Sequence, residues 1–296
     1  MWSARFAVSA HFLVMGLTGG VWMARVPAAK SQVHLSDGTL GIALLAVPVG
    51  LVLGAALAER LVDRVGSRVL CRICGVGSCV AVATPGLAHT LPALMAALFV
   101  IGVFGGTLDV SSNAQGVRVE AAYARPVMTS MHAFYSLGAI LGSLVGGGLA
   151  WAGVGLFATL SAVGLIGAVV DGAAGRWLLP ETRRTATAAT SGAHSAATAT
   201  ATNDSSTSTG TIEPGDTPVP AGITVTTDVR DARRRVRRLV LALGVLGVCG
   251  LVGEGAAGDW SAVYLTDNLG TSAGLAALGF AAFSATMTIG RGVGDR

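Results

Sequence analysis

Four polar side chains stand in stretches otherwise almost free of charge: Glu254 and Asp259 late in the chain, Asp109 and Asn113 nearer its middle. An ionisable group inside a bilayer is costly, so each one invites a functional reading. A carboxylate there can take up and release a proton as a cavity opens and closes, which makes Glu254 the leading proton-coupling candidate, the competing reading being a structural carboxylate satisfied by Arg25. Asp109, Asn113, Gly116 and Glu120 recur at helical spacing and form one polar stripe. Amide and carboxylate on such a stripe can hydrogen-bond a polyol or cap a neighbouring helix. Asp109 and Asn113 are the positions expected to carry it, Glu120 lying in cytoplasmic water. His132, with Tyr135 and Ser136 one turn on, can join a proton relay or a substrate contact, or pack as an ordinary hydrogen-bonded histidine. Arg25 can pair with Asp259 as an outer gate, or snorkel to water. The sequence holds no Walker loop, zinc cluster or nucleophile–base constellation, so no enzyme activity, cofactor or metal is expected.

These groups need elements to hold them, and the composition says which. The chain has 296 residues, 52% of them hydrophobic and 12% charged, with a mean hydropathy of +0.66. That is more apolar surface than one soluble core of this length can hide. Lipid must solvate most of it. Forty-two glycines then read as surfaces that let membrane helices approach closely. The pI of about 9.2 has no basic face to go with it and does not indicate nucleic-acid binding. Cys71, Cys74, Cys79 and Cys249 are too few and too apolar in setting for a disulfide framework.

Windows of about 20 apolar residues, enough to span a bilayer, recur eight times. They run Phe6–Ala24, Leu40–Ala58, Ile73–Thr90, Pro92–Val110, Met128–Trp151, Val154–Gly172, Leu239–Gly258 and Ala273–Gly290. Lys and Arg flanking such spans collect on the cytoplasmic side. A cytoplasmic N-terminus places Arg60, Arg64, Arg68, Arg72, Arg118, Arg125, Arg176, Arg183, Arg184 and the Arg230–Arg238 cluster inside, leaving only Arg25 and Lys30 outside. From Glu181 to Asp228 the chain turns to Ala, Thr and Ser without an aromatic residue, a composition that cannot order itself. The expected organisation is a six-helix bundle over 1–176, a disordered cytoplasmic linker over 177–237 and the start of a second bundle over 238–296.

An internal repeat supports two halves. Gly54–Arg60 at the inner end of span two matches Gly290–Arg296 at the inner end of span eight, and Trp22 matches Trp260 at the outer ends of spans one and seven. In the first half the repeat goes on as Leu61-Val-Asp-Arg-Val-Gly-Ser-Arg68, where Gly66 suits a positive-φ corner and Asp63 can pair with arginines. If the halves match, four further spans belong to the complete protein.

Asp63, Arg64, Gly66 and Arg68 resemble the loop signature of the major facilitator superfamily between spans two and three, with Glu59 where a glycine is usual. Trp22–Pro27, Asp109–Gly116, Met128–His132 and Gly253–Trp260 resemble its sugar-permease-like branch. The resemblance implies an all-α membrane protein of twelve helices, about eight present here, with a central cavity and alternating access. It implies a multi-pass plasma-membrane carrier of a small solute, with a sugar-like substrate and proton coupling as expectations and the bilayer as its partner. A drug or lipophile exporter on the same scaffold, and a non-transporting membrane sensor or scaffold, are the competing readings.

Overall fold

The computed structural model describes residues 2–180 and 225–294. Its helices are α1 (Trp2–Val33), α2 (Asp37–Leu44), α3 (Ala46–Val65), α4 (Ser67–Ala81), α5 (Leu91–Tyr123), α6 (Met128–Trp151), α7 (Leu156–Ala174), α8 (Val225–Asp267) and α9 (Ala273–Gly294). Among the described residues there is no strand, as expected where lipid leaves every backbone group to be satisfied within its own segment. The stretch 181–224, expected as part of the linker, lies outside the described residues, as do the side chains of the repeat's second Gly–acid–Arg segment at 290–296.

Seven segments are long and apolar enough to cross a membrane, α2 and α3 together making one of them; Ala273–Ile289 of α9 is a shorter eighth. All eight predicted spans are therefore helical. The chain is an all-α, multi-pass membrane protein. Large side chains such as Val52, Leu144, Leu165 and Ile166 point outward from the bundle, where lipid is their solvent.

Two compact units divide the chain: Met1–Glu181 with Val252–Arg296, and Thr182–Leu251. In the first, α1 packs along α6, α3 along α5, α4 against α5 and α7, and α9 against α6. Glycines set the closest of these approaches. A Cβ on Gly138 of α6 would lie 2.1 Å from the Leu13 carbonyl oxygen of α1, and one on Gly142 2.1 Å from that of Leu17. The reverse holds for Gly16 and Gly20 of α1, whose Cβ atoms would fall 2.0 and 2.2 Å from the carbonyl oxygens of Tyr135 and Ala139. Gly50 and Gly54 of α3 interlock in the same way with Gly102 and Gly106 of α5. The Gly138–Gly142–Gly146 ladder, small residues at i, i+4 and i+8, is thus half of a reciprocal seam, which backbone proximity and dispersion hold where no hydrophobic effect acts between helix and lipid.

Helix ends depart from the hydropathy windows. Predicted span two breaks at Leu45 into α2 and α3, because Pro48 has no N–H to offer the Leu44 carbonyl and its ring crowds that group. Helix α2 begins at Ser36, whose side chain accepts from Thr39 N. Helix α5 begins at Thr90, whose side chain accepts from Ala93 N, and continues 13 residues past the predicted Val110. Hydropathy ends where lipid ends; the helix does not.

At the opposite end of α3 from Leu45, Gly66 joins α3 to α4 at φ 88°, ψ 151°, a region open to glycine and strained for any residue with a Cβ. Gly66→Ala is expected to cost about 1–3 kcal/mol of stability, read as a lowered melting temperature of the purified protein; an unchanged melt would contradict the strain. Asp63 and Arg64 are exposed at this corner, and Arg68 donates to the Arg176 carbonyl at 2.9 Å. Arg118 donates to the Pro180 carbonyl. Buried Gln115 clamps the same end: its amide nitrogen donates to Ser67 Oγ at 2.8 Å and to the Leu179 carbonyl at 3.2 Å, and its oxygen accepts from Leu179 N at 3.1 Å. Glu120 accepts from the N–H groups of Val127 and Met128 at 2.8 and 2.9 Å. It caps α6 rather than standing free in water, completing orphan donors that the helix leaves at its start.

Candidate transport site

Three of the predicted residues meet in one chain of hydrogen bonds. Asn113 Nδ2 donates to Asp109 Oδ1 at 3.1 Å and to the Asp109 carbonyl at 2.9 Å, the i, i+4 reach of one face of α5. Asn113 Oδ1 lies 3.2 Å from His132 Nε2 on α6. Asp109 and His132 are exposed and Asn113 half-buried. From α1, the ring of Phe12 packs 4.7 Å from the His132 ring, centre to centre. Gly116, one turn below, is covered by Met128 and leaves the stripe no side chain there. The arrangement is a carboxylate, an amide and an imidazole in series. It offers donors and acceptors to a polar solute, and a line along which a proton can pass from imidazole to carboxylate by way of a bound solute or water.

The other predicted residues lie elsewhere. Glu254 and Asp259 occupy α8 a little over one turn apart, both partly buried. Between them, Gly258 receives Met23 of α1, with a Cβ there 2.9 Å from the Met23 sulfur. Arg25 does not reach Asp259: its Nη2 donates to the Val154 carbonyl in the α6–α7 turn at 2.6 Å. Lys30 instead makes ion pairs at this end of the bundle, bonding Asp37 at the start of α2 and Asp267 at the end of α8. The ion pair between α1 and α8 is thus formed by Lys30 and Asp267, over one turn beyond Arg25 and about two turns beyond Asp259. Lys30 escaped as a simple flanking charge, and Asp267 because it ends its helix rather than interrupting a span.

Two more groups went unread. His11 of α1 and Asp171 of α7 face each other, both wholly buried, with Nδ1 and Oδ1 2.9 Å apart. A count of Asp, Glu, Lys and Arg passes over a histidine in span one, and Asp171 sits at the edge of span six, where it reads as a flank. Cys71, Cys74 and Cys79 are buried free thiols and Cys249 an exposed one. Among the described residues no cluster of three or more His, Cys, Asp or Glu could hold a metal ion.

A family profile, that of the Major Facilitator Superfamily, matches residues 7–296. The chain belongs to this superfamily. It is 33% identical over 286 residues to an uncharacterized transporter of Sinorhizobium fredii, covering 96% of this chain and 65% of that one. It is 29% identical over 288 residues to an uncharacterized transporter of the superfamily from Yersinia pestis, covering 96% and 63%, and 26% identical over 299 residues to the membrane protein MosC of Rhizobium meliloti, covering 98% and 61%. The chain therefore spans somewhat under two thirds of the length of these relatives. Among solved structures, the crystal structure of the nucleoside transporter NupG is similar with a TM-score of 0.52 at 11% identity, over 60% of this chain and 44% of that one. That likeness is one of fold. The superfamily signature loop is the Asp63–Arg68 corner already described, and the Asp109–Asn113–His132 chain lies within two of the segments that resemble its sugar-permease-like branch.

Proposed function

We propose that this superfamily member is a secondary transporter that moves a small polar solute across the plasma membrane by alternating access, coupled to protons. The single observation that carries the reading is the Asp109–Asn113–His132 chain, exposed on α5 and α6 of a largely apolar bundle. A carboxylate at that depth is stable only where water or a polar ligand reaches it. Asn113 orients its two neighbours, and Asp109 and His132 bind the solute's hydroxyl or amide groups. Glu254 is a second proton-binding candidate on α8. The N-terminus is cytoplasmic in this reading, with a six-helix bundle over 1–176, a linker over 177–237 and the start of a second bundle over 238–296. The partners are the bilayer, the solute and protons.

The experiment is proton movement in proteoliposomes loaded with a pH-sensitive dye and challenged with monosaccharides and nucleosides in turn. Solute-dependent acidification of the lumen is expected, and it is lost in Asp109→Asn. Acidification that survives Asp109→Asn removes this carboxylate from the mechanism.

Lys30 supplies the outer latch. It ties α1 to the end of α8, so the outer ends of these helices separate only when its bond to Asp267 breaks. Lys30→Glu is expected to favour the outward-open form, and Lys30→Glu with Asp267→Lys to restore the parent's behaviour. Reactivity of a thiol placed at Met23 toward an external, impermeant maleimide reads this: several-fold faster in the single variant and back to the parent rate in the charge-swapped pair. Equal rates in all three would remove the latch.

A further inference from the structure

The His11–Asp171 pair lies outside the proposed solute chain and has no role in it. Both side chains are fully buried, and Nδ1 and Oδ1 stand at 2.9 Å without the alignment of a hydrogen bond. Gly75 of α4 makes room for them, since a Cβ there would lie 3.0 Å from Asp171 Oδ2 and 3.2 Å from His11 Nδ1. The groups facing the pair are all uncharged. From α4 come the thiols of Cys71 and Cys79, the latter 3.8 Å from Asp171 Oδ2; from α5 comes Ser112, bonded to Cys71 Sγ at 3.7 Å; α7 offers no ionisable group besides Asp171. On α6, His132 is held off by Phe12. Among the described residues, His11 is the one basic side chain within ion-pair distance of Asp171. His11 Nε2 is buried with no hydrogen-bond partner.

We propose that His11 and Asp171 form a second proton-binding site, whose occupancy sets the packing of α1 and thereby the position of Phe12 against His132. The proton count gives the logic. A neutral imidazole beside a carboxylate carries one net negative charge; adding one proton makes the pair neutral, with the proton on His11 Nδ1 or Nε2 or on Asp171. Behind a wall of apolar and thiol groups only the neutral pair leaves no uncompensated charge. The proton therefore leaves only when water enters, and water enters only when α1 and α7 part. Asp171 is three residues from the end of α7, about one turn from the inner surface, so exchange runs to that side. Phe12 follows His11 in sequence, a rotation of about 100° around α1. One turn of α1 thus touches the proton pair with one side chain and the solute chain with the next. This inference rests on the transport reading and assigns it a site for the coupled proton.

The test needs no solute. In protein whose four native thiols are replaced by alanine, a cysteine at Val117, exposed one turn below Asn113 on the same face, is labelled with an impermeant maleimide in inverted vesicles. Rates are corrected for thiol ionisation against free cysteine labelled over the same pH range. Across about pH 5 to 8, where histidine changes charge, the corrected rate is expected to change several-fold in the parent pair and in His132→Gln, and to be flat in His11→Gln with Asp171→Asn. A flat parent, or pH dependence lost in His132→Gln and kept in the double variant, overturns the proposal. If the double variant does not assemble, Asp171→Glu keeps the carboxylate one methylene longer and must displace the midpoint; an unmoved midpoint overturns it equally. A Val117 cysteine that never labels sinks the transport reading as well, whereas one that labels without pH dependence sinks this inference alone.

Discussion

Gly138→Val is expected to yield no folded protein at the parent's melting temperature, while Gly148→Val, ten residues along the same helix, behaves as the parent. The contrast is geometric. A Cβ at 138 would sit 2.1 Å from the Leu13 carbonyl oxygen, and at 148 it would meet nothing within 4 Å. Overpacking a core costs typically 1–3 kcal/mol when side chains can shift. Here the obstacle is the backbone of α1, already held by Gly142 above, so the expected loss is about 3 kcal/mol or more. Alternatively α1 and α6 separate along the seam. Thermal melts of the purified proteins in detergent, followed by circular dichroism and size-exclusion, decide it. Equal melting of both variants would mean that the α1–α6 seam is not the close contact described.

The second large effect is expected at the solute chain. Asp109→Asn and His132→Ala each remove a charge-assisted partner for a bound solute, worth about 1.5–3 kcal/mol, and so lower solute-dependent proton uptake roughly ten- to hundredfold. Asn113→Ala is expected to do nearly as much without touching a charge, because Asp109 and His132 lose the amide that joins them. The double variant Asp109→Asn with His132→Ala should then fall no further than the worse single change, as in any unit that works only when complete. Additive losses would separate the two residues into independent contacts.

What could be read from sequence follows from what lipid imposes. Spans were legible because about 20 uncharged residues have nowhere else to go, and the Met128–Trp151 helix is found at its predicted ends. The Gly138 ladder was legible because small residues at i, i+4 and i+8 share a face. Asp109, Asn113 and His132 were legible as polar residues in apolar surroundings, though only the fold brings α6 to α5 and places His132 Nε2 as a donor to Asn113 Oδ1. Gln115 lies off the Asp109–Asn113 stripe, and the clamp it makes on Leu179 depends on where the chain after α7 returns. His11 and Asp171 were missed because each alone reads as a span's edge or a neutral residue; their chemistry exists only as a pair 160 positions apart. Lys30 and Asp267 show the same limit at the outer end. Hydropathy places residues along the bilayer normal but says nothing about which helices stand side by side.

The most direct test of the central claim, that the Asp109–Asn113–His132 chain lines a water path opened to each side in turn, is labelling of a cysteine at Asn113 in the thiol-free protein. Impermeant maleimide is applied to sealed vesicles of either orientation. The account predicts labelling from both faces, with external labelling blocked and internal labelling kept once cysteines at Lys30 and Asp267 are cross-linked. Labelling from neither face, or external labelling unaffected by the cross-link, would contradict it.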